Sequence, residues 1–380
     1  MRICFLTDNI LRDDAGTMNG AQVQVSLLAQ EMRRRGHEVC IVAGGAHRGR
    51  AEDYVGIPVH EYVSRRWVPV WAAPAVYGLV RELAPDVVYV RGRSYLAGVA
   101  AAVQARSSGV FVWASTAEVG CERWKVLTGL WRGPRPLWRK ILRTPADLVA
   151  DLVCDAGVHR AGVCVCQTAY QRDRLRLVYG REGTVIRSLQ VAERPLPLRD
   201  TPPMVLWIGR VAPDRRPEAF VDLAATLCDA DCDFVVVGPA DSADYLDRVL
   251  SPAAKLPRFR HIGPVSFDES WDWIARAAIL VNTHPREGVS NALVQAWACG
   301  TPTIALSFDP DGLIQGSGAG VLSGDMGTMA RDVRRLVDDD EARSAYGRRA
   351  KDLAEREFSR AAVGDAYETA IRQKACAVFG

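Results

Sequence analysis

Short apolar runs alternate with longer segments of helical period through nearly all of the chain's 380 residues. In the first half, runs at 2–7, 39–42, 87–90, 110–113 and 163–167 read as strands, and 22–35 and 96–105 as helices. In the second half, strands are predicted at 204–208, 234–237, 260–262, 278–281 and 303–306, and helices at 217–228, 267–277, 291–299, 326–337, 341–358 and 360–372. Strands interleaved with helices predict parallel sheets covered on both faces, the α/β class. A run such as 278–281 is apolar throughout, as a strand buried on both sides must be. The helix at 22–35 stops at Gly36, the usual place for a left-handed residue after a helix. The glycine-rich stretch 316–320 leads toward Val321 and Leu322 and not into a helix, and reads as a loop.

Between 187 and 203 the alternation breaks into serine, charged residues and the closely spaced Pro195, Pro197, Pro202 and Pro203, which marks a linker. The expected division is a first domain at 1–190, a second at 191–358 and a final helix at 359–380 returning to the first. The length agrees, since 380 residues exceed one typical core. A hydrophobic fraction of 48%, a charged fraction of 24% and a net charge of +3 describe a globular chain with no nucleic-acid partner. The start at Met1-Arg2-Ile3-Cys4 meets charges too early for a signal peptide, and no apolar stretch reaches the roughly 18 residues of a spanning helix. Ten cysteines include no Cys-x-x-Cys pair, and Cys4, Cys40, Cys164 and Cys166 fall inside strand-like runs as small hydrophobes. A cytoplasmic location is expected.

The candidate chemistry concentrates in three loops. After the first strand comes Asp13-Asp14-Ala15-Gly16-Thr17-Met18-Asn19-Gly20, where Gly20 lets backbone approach an oxygen-rich ligand closely. The turn lacks G-x-G-x-x-G, which argues against a nicotinamide or flavin enzyme. Opening the second half, the strand 204–208 runs into Gly209-Arg210 and then Arg215, two cations on one loop and suited to a diphosphate. Following the strand at 278–281 comes Pro285-Arg286-Glu287-Gly288-Val289-Ser290-Asn291, then a helix whose free N–H groups favour an anion, with Gly300-Thr301-Pro302 as its stop. Gln295, eight residues after Glu287, lies about two turns on and on nearly the same face.

These three loops, with Arg35-Gly36-His37-Glu38-Val39 after the first helix, resemble the motifs of the retaining glycosyltransferases of family 4, and the resemblance covers nearly the whole chain. It implies the GT-B architecture, two tandem Rossmann-like domains with an interdomain cleft. It also implies transfer of a hexose-type sugar from a nucleotide diphosphate donor, UDP- or GDP-linked, to an acceptor hydroxyl, with no required cofactor and no metal. By resemblance, Glu287, Arg210 and Arg215 form the catalytic set. Gly20, Gly209, Gly288, Val289, Ser290, Asn291 and Gln295 would bind the donor, Gln295 at its ribose.

The chain departs from the pattern at Asn19 for a glycine, at Arg215 for the commoner lysine and at Gln295 for a glutamate. The segment 112–118 carries no histidine where such enzymes often place one, which leaves Ser115, Thr116 or Glu118 as positioning residues. An epimerase or hydrolase on the same fold, or an inactive sugar-nucleotide binder, are the alternative readings. Asp231-Cys232-Asp233 precedes a strand instead of following one and reads as a solvated loop, not a metal site. The segment 122–143 interleaves arginines and lysines with Trp124, Trp131 and Trp138. It reads as a peripheral contact with an anionic membrane, where a lipid-linked acceptor would be met, or as a loop over the acceptor cleft. Gly133, Pro134 and Pro136 interrupt it. The partners expected are a nucleotide sugar and a small or lipid-linked saccharide.

Overall fold

The structure is a computed structural model that describes residues 1–8, 20–45, 49–50, 53–64, 69–116, 121–132, 136–190, 195–286 and 288–379. It divides into two compact units, the first extending to Arg187 and including Val363–Gly380, the second including Ser188–Ala362. The break thus falls slightly before the expected 190/191, because the Gln190 N–H donates to the Phe358 carbonyl at 3.3 Å and draws that stretch into the second unit.

The first unit holds strands β1 (Arg2–Thr7), β2 (Glu38–Gly45), β3 (Gly49–Arg50), β4 (Val59–Val63), β5 (Val87–Arg91), β6 (Val110–Ala114), β7 (Val163–Cys166) and β8 (Thr184–Val185). Its helices are α1 (Gly20–Arg34), α2 (Ala73–Leu83), α3 (Leu96–Gln104), α4 (Lys125–Arg132), α5 (Leu137–Arg160) and α6 (Ala169–Tyr179). The sheet order is β3-β4-β2-β1-β5-β6-β7-β8, parallel except for the β3–β4 pair. Helix α5 lies close against α3 because Gly157 meets Gly98 there: a Cβ on Gly157 would stand 2.3 Å from the backbone of Ala97.

The second unit holds β9 (Met204–Ile208), β10 (Asp233–Val237), β11 (Phe259–Gly263), β12 (Ile279–Asn282), β13 (Thr303–Ala305) and β14 (Gly320–Leu322). With them go α7 (Pro217–Thr226), α8 (Ala243–Leu250), α9 (Phe267–Arg276), α10 (Asn291–Cys299), α11 (Leu313–Gly316), α12 (Met326–Asp338) and α13 (Asp340–Phe358). All six strands are parallel in the order β11-β10-β9-β12-β13-β14, a doubly wound sheet. Along β9, Val205 and Trp207 face one apolar core while Met204 and Leu206 face another, all buried. This is the burial on both faces that the continuously apolar runs predict.

Helix α14 (Arg360–Phe379) closes the chain, and from Val363 onward it belongs to the first unit. Arg35 pairs with Asp365 at 2.6 Å, His37 meets Glu368 at 2.9 Å, and the Tyr89 and Tyr367 hydroxyls lie 3.4 Å apart. Helices α2, α4, α5, α6, α8 and α11 and strands β3, β4, β8 and β14 were not foreseen in the pattern. Gly320, assigned above to a loop, opens β14. All ten cysteines are free thiols. Among the described residues no helix is long and apolar enough to cross a membrane.

Candidate active site

The strand order of the second sheet reverses between β9 and β12, and ligands of doubly wound sheets bind outside the carboxyl ends of the strands at such a point. The loops leaving β9 and β12 are the two that carry the candidate residues, and hydrogen bonds tie them together. The buried Thr283 hydroxyl accepts from Trp207 Nε1 at 2.9 Å and donates to the Arg215 carbonyl at 2.8 Å. Arg215 Nη1 lies 3.0 Å from His284 Nδ1. A guanidinium can only donate, so Nδ1 accepts and the imidazole carries its proton on Nε2. His284, which stands just ahead of the Pro285 motif, thus orients Arg215.

Arg210, 46% exposed, donates to Asp241 on the loop after β10 and reaches Asp214 at 3.3 Å. The loop is held by the Val211 N–H on the Pro239 carbonyl at 2.7 Å. Two guanidiniums therefore stand at one sheet edge in fixed poses, Arg215 partly enclosed and Arg210 open to solvent. Charge developing on a diphosphate would meet dipoles that need no reorganisation.

Close backbone approach holds the same edge together. A Cβ on Gly238 would lie 1.9 Å from the Gly209 carbonyl oxygen, and Gly238 has φ +135°, which side chains rarely adopt. Gly238→Ala is expected to cost about 3 kcal/mol by forcing these strands apart. A urea midpoint within error of wild type would show that the approach is not required.

Ahead of α10, Gly288 and Val289 are buried and Ser290 caps the helix, its hydroxyl accepting the Leu293 N–H at 3.3 Å. Asn291 is the first helical residue, as expected. Gln295 is 3% exposed and its Nε2 donates to Ser270 Oγ of α9 at 3.2 Å, so its amide is turned toward that helix. Glu287 lies outside the described residues.

In the first unit the corresponding reversal lies between β1 and β5. Gly20 opens α1; Asn19 and the rest of the preceding loop lie outside the described residues, as does Glu118. A cavity of 510 Å³ opens beside the end of β5, lined by Arg91, Gly92, Arg93, Thr116, Val126, Gly129, Leu130, Arg143 and Asp147. Thr116 is the candidate positioning residue that reaches it. Ser115 is buried, with its hydroxyl 3.6 Å from Cys121 Sγ, and faces the core.

Behind this cavity lies a buried charge network that the motifs did not disclose. Arg93 Nη2 reaches Asp155 at 2.6 Å and Asp151 at 3.1 Å, while its Nη1 donates to the Tyr179 hydroxyl. Asp155 also accepts from Tyr179 at 2.7 Å and Arg123 at 3.0 Å. Asp151 takes the Val126 and Leu127 N–H groups at the start of α4 at 3.2 and 2.9 Å. The readable signal was the spacing of four in Arg143, Asp147, Asp151 and Asp155, which puts them along one side of a helix.

The acidic motif at 231–233 lies at the amino end of β10, with Asp231 paired to Arg258 at 2.5 Å and Asp233 to Arg260 at 3.0 Å. Among the described residues no group of three or more histidine, cysteine, aspartate or glutamate side chains could hold a metal ion.

Comparison with known proteins follows the same division. The sequence model described as Glycosyltransferase Family 4 matches residues 18–188, and that described as Glycosyl transferases group 1 matches 202–339. The chain belongs to the family 4, group 1 glycosyltransferases. Among relatives of this glycosyltransferase, an alpha-D-kanosaminyltransferase of Streptomyces kanamyceticus is 27% identical over 44% of each chain. A GDP-mannose-dependent alpha-mannosyltransferase of Corynebacterium glutamicum is 22% identical over 80% of this chain and 72% of its own. The match thus spans less than half the length of the first relative. Among solved structures, HepE of Anabaena in complex with UDP and glucose superimposes with a TM-score of 0.70 at 14% identity, covering 98% of this glycosyltransferase and all of HepE. That likeness establishes the shared fold.

Proposed function

We propose that the chain transfers a glycosyl group from a nucleoside diphosphate sugar to an acceptor hydroxyl with retention of anomeric configuration. The observation that carries this reading is the pair Arg210 and Arg215 at the strand-order reversal of the second sheet, with Arg215 oriented by His284 from the opposing loop. In the reaction, the bond from the anomeric carbon to the diphosphate oxygen breaks while a bond to the acceptor oxygen forms on the same face. The acceptor proton passes to a phosphate oxygen, and the nucleoside diphosphate leaves. Departure of the dianionic group is the step two guanidiniums stabilise. Glu287 and the 288–290 backbone hold the transferred sugar, and Gln295 contacts the ribose once its amide leaves Ser270.

The UDP complex of HepE and the GDP-mannose dependence of the corynebacterial relative support UDP or GDP as the donor base. The acceptor is a saccharide, small or lipid-linked, and ten free thiols suit a cytoplasmic setting. A second reading, an inactive binder of the same donors, is favoured by the absence of histidine from 112–118.

The test is a thermal-shift screen with UDP, GDP, ADP and dTDP and their sugars, followed by nucleotide release with and without saccharide acceptors. At a hundredfold excess over Kd, one nucleotide family is expected to stabilise the protein by about 2.7 kcal/mol. No shift with any nucleotide overturns the reading. Stabilisation without turnover selects the inactive binder, and nucleotide release that ignores acceptors selects a hydrolase.

A further inference from the structure

Helices α4 and α5 carry a surface that the transfer reaction does not use. Eight of the sixteen large hydrophobic side chains that stand exposed among the described residues fall between 131 and 152. Along α5 they recur as Leu137, Trp138, Ile141, Leu142, Leu148, Val149 and Leu152, a helical period that sets them on one face. Leu142 is 71% exposed and Leu137 63%. At about 1.5 Å per residue the stripe is roughly 22 Å long. Pro145 lies in its line and is exposed, so the helix bears a proline there with the ring outward. Trp131 extends the patch from α4: its indole N–H is anchored to Thr144 at 3.2 Å while 45% of the residue stays exposed.

Charge on the same elements is sorted by face. From 123 to 146 the chain has seven arginines and lysines and no carboxylate. The acidic residues that follow on α5, Asp147, Asp151 and Asp155, are all buried and engaged by Arg143, Arg93 and Arg123. Arg132 and Arg139 remain exposed beside the apolar stripe, and the Arg139 guanidinium lies 4.9 Å from the centre of the Trp138 ring. An apolar stripe containing tryptophan, bordered by cations and cleared of surface acids, fits an interface with anionic lipid headgroups. A protein partner of ordinary composition would not require every carboxylate of the element to be turned inward.

We infer that the outer face of α4 and α5 docks the protein onto the surface of an anionic membrane, with α5 lying in the headgroup plane. Apolar side chains enter the acyl boundary and Arg132 and Arg139 meet lipid phosphates. The inference goes beyond the proposed transfer reaction and holds whatever the donor is. Nucleotide binding tests the one and vesicle binding the other.

The test is co-sedimentation of the whole chain with vesicles of phosphatidylcholine alone or mixed with phosphatidylglycerol. Binding is expected to the mixed vesicles and to be at least tenfold weaker on pure phosphatidylcholine. Ile141→Glu/Leu142→Glu should lower the partition coefficient at least tenfold, and Arg132→Glu/Arg139→Glu, which spares the apolar stripe, by a similar factor, since each surface cation contributes about fivefold. Circular dichroism and the nucleotide-dependent thermal shift should stay as in wild type. Failure of the wild-type chain to sediment with mixed vesicles overturns the inference. So does equal binding to both vesicle types, or a stable dimer in analytical ultracentrifugation that Ile141→Glu/Leu142→Glu converts to monomer.

Discussion

Arg215→Ala is expected to lower kcat/KM for the stabilising sugar nucleotide by about two to three orders of magnitude, the cost of removing one preorganised donor from a developing anion. The melting temperature should move by no more than about 2 °C. The side chain is 29% exposed, so its loss leaves no large cavity, and the backbone carbonyl that takes the Thr283 hydroxyl stays in place. Arg215→Lys should recover part of the loss. An ammonium restores the charge, but it presents no planar fork to span His284 and a phosphate together. His284→Ala, which leaves Arg215 charged but unoriented, should fall between the two. Steady-state kinetics beside circular dichroism melts read all three, and a wild-type kcat/KM in Arg215→Ala would remove this residue from the mechanism.

Breaking the network behind the first-unit cavity should instead destabilise the first unit. Arg93→Ala strips Asp155 of one partner and leaves Asp151 with the α4 N–H groups alone, in a place where both carboxylates are excluded from water. An uncompensated buried charge costs about 3–5 kcal/mol. The chemical-denaturation midpoint of the first unit should fall accordingly. Burial alone would push the Asp155 carboxyl up, but hydrogen bonds from Arg93, Tyr179 and Arg123 outweigh it and hold the group below its ordinary value. Its contribution to stability is therefore fully present above the unfolded-state value of about 3.9 and is lost as pH falls through the lower folded-state value. Urea midpoints measured from pH 7 to pH 3 should show this acid-side loss in wild type and a shallower one in Asp155→Asn. Identical pH slopes would mean that the network does not titrate with folding.

Where an element's burial repeats in its residue types, the pattern predicted it closely. The strands β1 and β9 and the helix α10 fall on the residues expected, because continuous apolar runs and a serine-to-glycine frame leave little choice. Helix α5 escaped for the opposite reason: its inward face sets Asp147, Asp151 and Asp155 among Cys154 and Val158 while its outward face is apolar, so hydropathy gives no inward stripe. Gly133, Pro134 and Pro136, read as interruptions, reinforced the error, although proline is harmless at a helix start, where Pro136 stands. At the candidate site, residue types pointed to Arg210 and Arg215 as candidates, but orientation is a matter of contacts distant in sequence. Only folding brings His284 to Arg215 across 69 positions, turns Ser115 to the core and sets the Gln295 amide on Ser270.

The return of α14 to the first unit has a consequence for how the polypeptide matures. During synthesis the second unit, through Ala362, emerges while the first still lacks the helix that takes up Arg35, His37 and Tyr89. The part translated first is thus the part finished last. Until Asp365, Tyr367 and Glu368 leave the ribosome, the nascent first unit leaves Tyr89 uncovered and holds Arg35 through Glu31 without Asp365, which is the interval in which a holding chaperone would find its substrate.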